Sequence, residues 1–253
     1  RISFSGSVLD LPFCRCNEYN ISTMPSFLLA ALVLFFVWLV LFIFSNSTRR
    51  EQLIMSIVGL VLAPGILVLV ANDYRNIISD EIASMGLEDL LFSFSLFGIS
   101  AVIYQILVGR HAHKIKGPRI THAHPAVHWY VHLVLVLGLW TFVSLLLIDV
   151  FELASVRALI VGGLLIGTYT IADRKDLLLD ALLSGLFMAL LIFLIEQIFF
   201  ARLFPDVVDQ FWRFDQMTTF LIGGIPLEEL LWAAVIGFTI GPMYEYLRRY
   251  ELT

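Results

Sequence analysis

Lysine is scarce in this chain, where Lys114, Lys116 and Lys175 are the only examples. None lies in the last apolar block, so a seven-helix retinal protein is excluded, because that chemistry needs a Schiff-base lysine in the final span. Cysteine is scarcer still. Cys14 and Cys16 are the only two, and both precede the first apolar block. They have no partner motif elsewhere, which argues against a disulfide framework or a cysteine metal site in the body of the protein. Charged residues make up only 15% of the chain, too few to cover the surface of a soluble domain of this size. Alternating ten-residue segments are missing, which excludes an outer-membrane barrel. No Gly-x-Gly-x-x-Gly pattern follows a strand, so no Rossmann-type flavin site is expected.

What is present is apolar. Hydrophobic residues make up 59% of the 253 positions, in blocks long enough to cross a hydrocarbon core of about 30 Å. Backbone polar groups in lipid must be satisfied within the segment, so these blocks are predicted to be helices. Seven spans are expected, at 25–45, 52–71, 88–108, 128–149, 155–172, 177–202 and 226–247. Arg49, Arg50, Arg110, Lys114, Lys116, Arg119, Arg174, Lys175, Arg248 and Arg249 all fall on one side of that threading. The other side is acidic, with Asp73, Asp80, Glu81, Asp149, Glu152, Asp206, Asp209 and Asp215. The positive-inside rule then puts the N-terminus outside and the C-terminus in the cytoplasm, with the plasma membrane as the expected location. Met24 directly precedes the first block. Residues 1–24 are expected to be a tail, from upstream read-through or without structure. A cleaved signal peptide fits poorly, because the first block is too long and lacks a small-residue cleavage site.

Two stretches are alike. Gly86-Leu-Glu-Asp-Leu-Leu-Phe92 with Tyr104-Gln105 resembles Pro226-Leu-Glu-Glu-Leu-Leu-Trp232 with Tyr244-Glu245, at a constant offset of 140 residues. The expected layout is therefore repeat one over 25–110, a His-rich basic loop plus connector helix over 111–150, and repeat two over 151–253. The repeats are parallel, three helices each. Pseudo-symmetry of this kind places sites between halves in many membrane folds.

The acids carry the chemistry. Glu196 lies inside a span, in Phe193-Leu-Ile-Glu-Gln-Ile-Phe-Phe200, where an ionisable side chain costs about 2.5–3.5 kcal/mol on insertion scales and is a functional candidate by default. Glu228 and Glu229 open the last span behind Gly223-Gly224-Ile225-Pro226, a turn followed by a proline suited to the first helical turn. Glu88 and Asp89 are their counterparts in the first repeat. For Asp89 there is also an ordinary account, an acid at a helix N-terminus that offsets the dipole and faces water. All five carboxyls are expected to converge on one outer cavity. Desolvation and a neighbouring carboxyl both favour the neutral form of such a group, which suits it to general-acid chemistry. Trp232, Trp212, Phe214 and Phe92 could line a pocket where positive charge develops, although an interfacial aromatic belt accounts equally well for Trp212.

All six histidines fall between 111 and 132. His122, His124, His128 and His132 are candidate metal ligands, with His128 and His132 on one helix face. No Asp or Glu occurs from Leu90 to Ile148, however, and a basic loop against anionic headgroups is the simpler account. No metal is therefore expected.

Phe211-Trp-Arg-Phe-Asp215, Gly223-Gly-Ile-Pro-Leu-Glu-Glu-Leu-Leu-Trp232 and Tyr244-Glu245 together resemble the heterodimeric or fused-type lycopene cyclase domain. The resemblance is sharpest from about 176 to 249. Asp215 stands where that family usually has Asn, Glu196 stands for its intramembrane Asp, and the first repeat has Gly86 in place of Pro. The resemblance implies acid-catalysed ring closure at the ends of a linear C40-type polyene. This is a net isomerisation, so no cofactor is implied. Glu228 and Glu229 are the implied acid and base, with Glu196, Glu88 and Asp89 in support. Trp232, Trp212, Phe214, Asp215, Pro226, Phe92 and Tyr244 are the implied substrate contacts. The expected partners are a hydrophobic polyene or isoprenoid substrate and the bilayer, without nucleic acid, and assembly into a homo-oligomer is left open. Two alternatives stand beside this reading. One is a non-catalytic seven-helix lipid- or carotenoid-binding protein. The other is a Glu-Glu type intramembrane protease, disfavoured because Ala233 occupies the position where that pattern needs Arg.

Overall fold

The computed structural model describes residues 24–70, 73, 86–109, 112–114, 125–205, 217, 220–248 and 250–252. Helices α1 (Met24–Phe44), α2 (Arg49–Val70), α3 (Leu87–Val108), α4 (Pro125–Phe151), α5 (Ser155–Asp173) and α6 (Leu178–Ile198) are followed by α7 (Leu227–Ile240) and α8 (Met243–Arg248). Among the described residues, seven segments are long and apolar enough to cross a membrane, α7 and α8 together forming the last. The fold is all-α, as the hydropathy blocks predict. The tail with Cys14 and Cys16 lies outside the described residues, as do Trp212, Phe214, Asp215, His122 and His124.

Two of the departures from the expected helix boundaries have a local reason in the structure. The second span begins at Arg49 rather than 52. The Arg49 guanidinium reaches back to the carbonyls of Phe42 at 2.7 Å and Ile43 at 2.8 Å. These are orphan acceptors at the end of α1, and satisfying them lets α2 start after a short turn. The last span is not one continuous helix. It breaks between Ile240 and Met243, where Pro242 has no N–H to continue the ladder.

Lipid tails are as apolar as leucine, so these helices associate by close packing and by hydrogen bonds rather than by hydrophobic burial. In the first half α3 packs on α1 and α2, and in the second half α7 packs on α5 and α6. The halves meet where α3 touches α6 and α7. The α6–α7 seam is made of small residues. A Cβ on Gly237 would lie 2.4 Å from the Ser184 carbonyl oxygen, and one on Gly185 would lie 2.8 Å from that of Ala234. Tryptophans pin both halves. Trp38 Nε1 donates to Ser56 Oγ at 2.8 Å, and Trp140 Nε1 donates to the Leu159 carbonyl at 3.0 Å. Phe36, Val61, Leu135, Phe142 and Leu194 are exposed, as side chains facing lipid should be. α4 is the least embedded helix and lies against α5 and α8.

Short strands finish the ends. β1 (Ala112–Lys114) pairs antiparallel with β4 (Tyr250–Leu252), and β2 (Leu221–Ile222) pairs with β3 (Ile225–Pro226) in a tight hairpin. Asp73 links the halves. Its carboxylate accepts from the backbone N–H of Ser155 at 2.6 Å and from the Ser155 hydroxyl, capping the start of α5 from another part of the chain.

Candidate active site

Three of the five predicted carboxyls gather at one end of the α6–α7 seam. Glu196 sits in the last turn of α6, just before a π-turn at Phe199–Leu203 that widens the helix. Such turns recur at functional positions. Glu196 is only 7% exposed, and its Oε2 has no hydrogen-bond partner among the described residues. Its electrostatic neighbour is the carboxyl of Glu229. Glu228 occupies the first turn of α7 and is 4% exposed, whereas Glu229 is half-buried. Consecutive helical residues point about 100° apart, so the two sample different surroundings. Arg157 Nη2 donates to Glu228 Oε1 at 3.3 Å.

The turn ahead of α7 is fixed by its glycines and by α6. Gly223 and Gly224 have φ of 61° and 87°, the left-handed pair that a two-residue hairpin requires. Gln197, next to Glu196, donates to the Gly223 carbonyl at 2.5 Å. The Leu227 N–H donates to the Phe220 carbonyl at 3.1 Å. Pro226 is buried where the hairpin enters α7. The end of α6 therefore holds the start of α7, and Glu196 is held relative to the Glu pair.

Of the predicted aromatic contacts, Trp232 is half-buried one turn into α7, its ring centroid 6.5 Å from that of Trp140. Phe92 on α3 pairs with Phe27 on α1 at 6.0 Å. Tyr244 is elsewhere. It lies in α8, sixteen residues beyond Glu228 and about 24 Å along the helix axis at 1.5 Å per residue, with the Arg248 guanidinium 5.7 Å from its ring centroid. Tyr244 therefore lies apart from the Glu pair, toward the other end of the bundle.

Glu88 and Asp89 open α3. Asp89 is buried rather than water-facing, and its Oδ2 accepts from the Gly86 N–H at 3.1 Å. The Glu88 carboxylate folds back beside Gly86. The hydrogen bond of Asp89 thus satisfies an orphan amide of its own helix. The water-facing placement expected for an acid at a helix start does not hold for Asp89, which is buried.

Of the histidines, His128 lies on α4, and His132 is exposed on the same helix. Among the described residues no group of three His, Cys, Asp or Glu side chains is arranged to hold a metal ion.

Arg157 and Gln197 complete the site and are invisible to pattern reading. In the sequence Arg157 is one more charge on the acidic side. The usable signal is a lone cation in the first turn of an apolar segment, on the side that carries the acids.

A family model described as lycopene cyclase matches residues 154–247. The match runs from the turn before α5 to the end of α8 and includes Arg157, Glu196, Glu228 and Glu229. No curated relative and no solved structure matches the chain. Over residues 154–247, this chain is similar to the lycopene cyclase family.

Proposed function

We propose that this membrane protein closes rings at the ends of a linear C40-type polyene by proton transfer alone, within the carboxyl group of Glu196, Glu228 and Glu229. The observation that carries the reading is the unequal partnering of those carboxyls. Glu228 has a guanidinium at 3.3 Å, and Glu196 has another carboxyl beside it. A carboxylate paired with arginine is suited to accept a proton. A carboxyl with an apolar surround and an acidic neighbour is suited to donate one.

The reaction then runs in three steps that balance. The acid, Glu196 with Glu229, adds a proton to the terminal alkene. The next alkene supplies the electron pair for the new carbon–carbon bond, leaving a ring cation. The base, Glu228, removes a neighbouring proton and restores a double bond. No electron enters or leaves, so no oxidant or reductant is required. Trp232 and Phe92 offer ring faces to the transient cation, and Glu88 and Asp89 serve in support by anchoring α3.

The site is assigned to the extracytoplasmic half of a plasma membrane. The supporting fact is the cluster of Arg49, Arg50, Arg174, Lys175 and Arg248 at the opposite end of the bundle. The N-terminus would then be outside and the C-terminus in the cytoplasm.

The test is pigment analysis in cells that accumulate lycopene. The full chain should yield ringed products, and in heavy water each ring should carry one deuteron from the acid. Glu196→Gln, Glu228→Gln and Glu229→Gln should each lower ring formation by about 10²–10⁴-fold while the protein still inserts. Unchanged lycopene with normally inserted wild-type protein would instead mark a polyene-binding protein without turnover.

A further inference from the structure

A second set of buried acids lies at the other end of the bundle, where ring closure makes no use of it. Glu51 is in the first turn of α2, Gln105 near the end of α3, Asp180 in the first turn of α6 and Glu245 in α8. All four are buried, Glu245 completely. Gln105 Nε2 donates to both carboxyl oxygens of Glu51, at 3.0 and 3.1 Å, and to Glu245 Oε1. One amide nitrogen thus holds the Glu51 and Glu245 carboxyls side by side, and Asp180 is an electrostatic neighbour of both. Asp180 Oδ1 accepts from Ser184 Oγ at 3.0 Å, while Asp180 Oδ2 and Glu245 Oε2 have no hydrogen-bond partner among the described residues.

Three observations narrow what completes this group. Among the described residues, none of the three carboxyls forms an ion pair. The Arg174 guanidinium donates to the Glu245 backbone carbonyl rather than to its carboxyl, and three ionised carboxyls in so small a buried volume would repel strongly, so at least one is expected to be neutralised by a proton. The oxygens are not gathered as metal ligands, because no trio of such side chains has that arrangement. Finally, two buried carboxyls drawn to one amide nitrogen are relieved of mutual repulsion when one of them carries a hydrogen.

We propose that Glu51, Asp180 and Glu245 form a proton-binding site in which a proton shared by Glu51 and Glu245, together with the Gln105 amide, joins the first half of the bundle to the second. The sequence adds a point. Gln105 is the counterpart of Glu245 at the offset of 140 residues. At that pair of equivalent positions the chain carries one carboxyl and one amide, and an amide is the uncharged isostere of a protonated carboxyl.

Infrared difference spectra of the purified full chain in H2O and D2O test this. A protonated-carboxyl carbonyl band should be present, persist in Glu196→Gln, and be lost in Glu245→Gln or Glu51→Gln. The glutamine variants should keep the wild-type midpoint of thermal unfolding, whereas Glu245→Ala should lower it. If the glutamine variants do not fold, the wild-type spectrum compared with Asp180→Asn still decides, because the band should shift when its third neighbour becomes neutral. The proposal fails if no such band responds to any of these substitutions. It also fails if millimolar sodium, potassium or calcium raises the wild-type midpoint, since the site would then bind a metal cation.

Discussion

Glu196 was legible in the sequence because an ionisable side chain in an apolar span has no inexpensive explanation. Arg157 was not, because its meaning lies in a contact with Glu228 across 71 positions of chain. Truncation of Arg157 gives the sharpest residue-level expectation. Arg157→Ala should lower ring formation about tenfold, the lower end of what a charge-assisted hydrogen bond contributes, since the arginine is half-exposed. Arg157→Lys should recover part of the loss, because a point charge keeps the attraction but not the fork. The measurement is ringed product per unit of inserted protein, and an Arg157→Ala level equal to wild type would remove Arg157 from the site. Asp89 was half legible. Its place at a helix start was readable, but its bond to the Gly86 amide and its burial were not, because burial depends on tertiary packing that no single-sequence pattern reports.

Whole elements were the easiest features to read. A span needs only length and apolar content, so all seven were found within a few residues of their observed ends. Two of the departures occur where a side chain or a proline acts locally, at Arg49 and Pro242. The π-turn at Phe199–Leu203 had no signature at all, since its residues suit an α-helix equally well. The α6–α7 seam was also hidden, because Gly185 and Gly237 look like any two glycines until the helices are set together. A measurable consequence follows at that seam. Gly237→Ala must push its methyl group toward a backbone oxygen that cannot rotate away, and overpacking of this kind costs about 1–3 kcal/mol. Its thermal midpoint should fall, and cyclisation should fall with it, because the shift separates Glu196 from Glu229. A variant with wild-type stability and activity would mean that the seam tolerates a wider spacing.

Over the whole molecule, the repeated motif pointed to equivalent positions but not to their uses. Glu228 and Glu229 sit beside Glu196, while Asp89 bonds locally to Gly86 and Glu88 folds back beside it. Acids also gather at the other end of the bundle, a group the sequence did not indicate. The far group was missed because Glu51 and Asp180 read as ordinary acids at helix starts. Only the arrangement of α2, α3, α6 and α8 brings them to Gln105 and Glu245.

The cap that Asp73 places on Ser155 has a consequence for how the chain could be divided. Each half holds part of the other's bonding, Asp73 for the first turn of α5 and Gln105 for Glu245. Severed in the segment between α3 and α4, the two fragments should therefore complement each other. Co-expressed, they should copurify and make ringed pigment, and either fragment alone should make none. Asp73→Ala in the first fragment should weaken the pairing by about 0.5–2 kcal/mol, the usual loss for a helix cap. The acids nearest the chemistry all belong to the second fragment, and that fragment would still depend on a carboxylate contributed by the first.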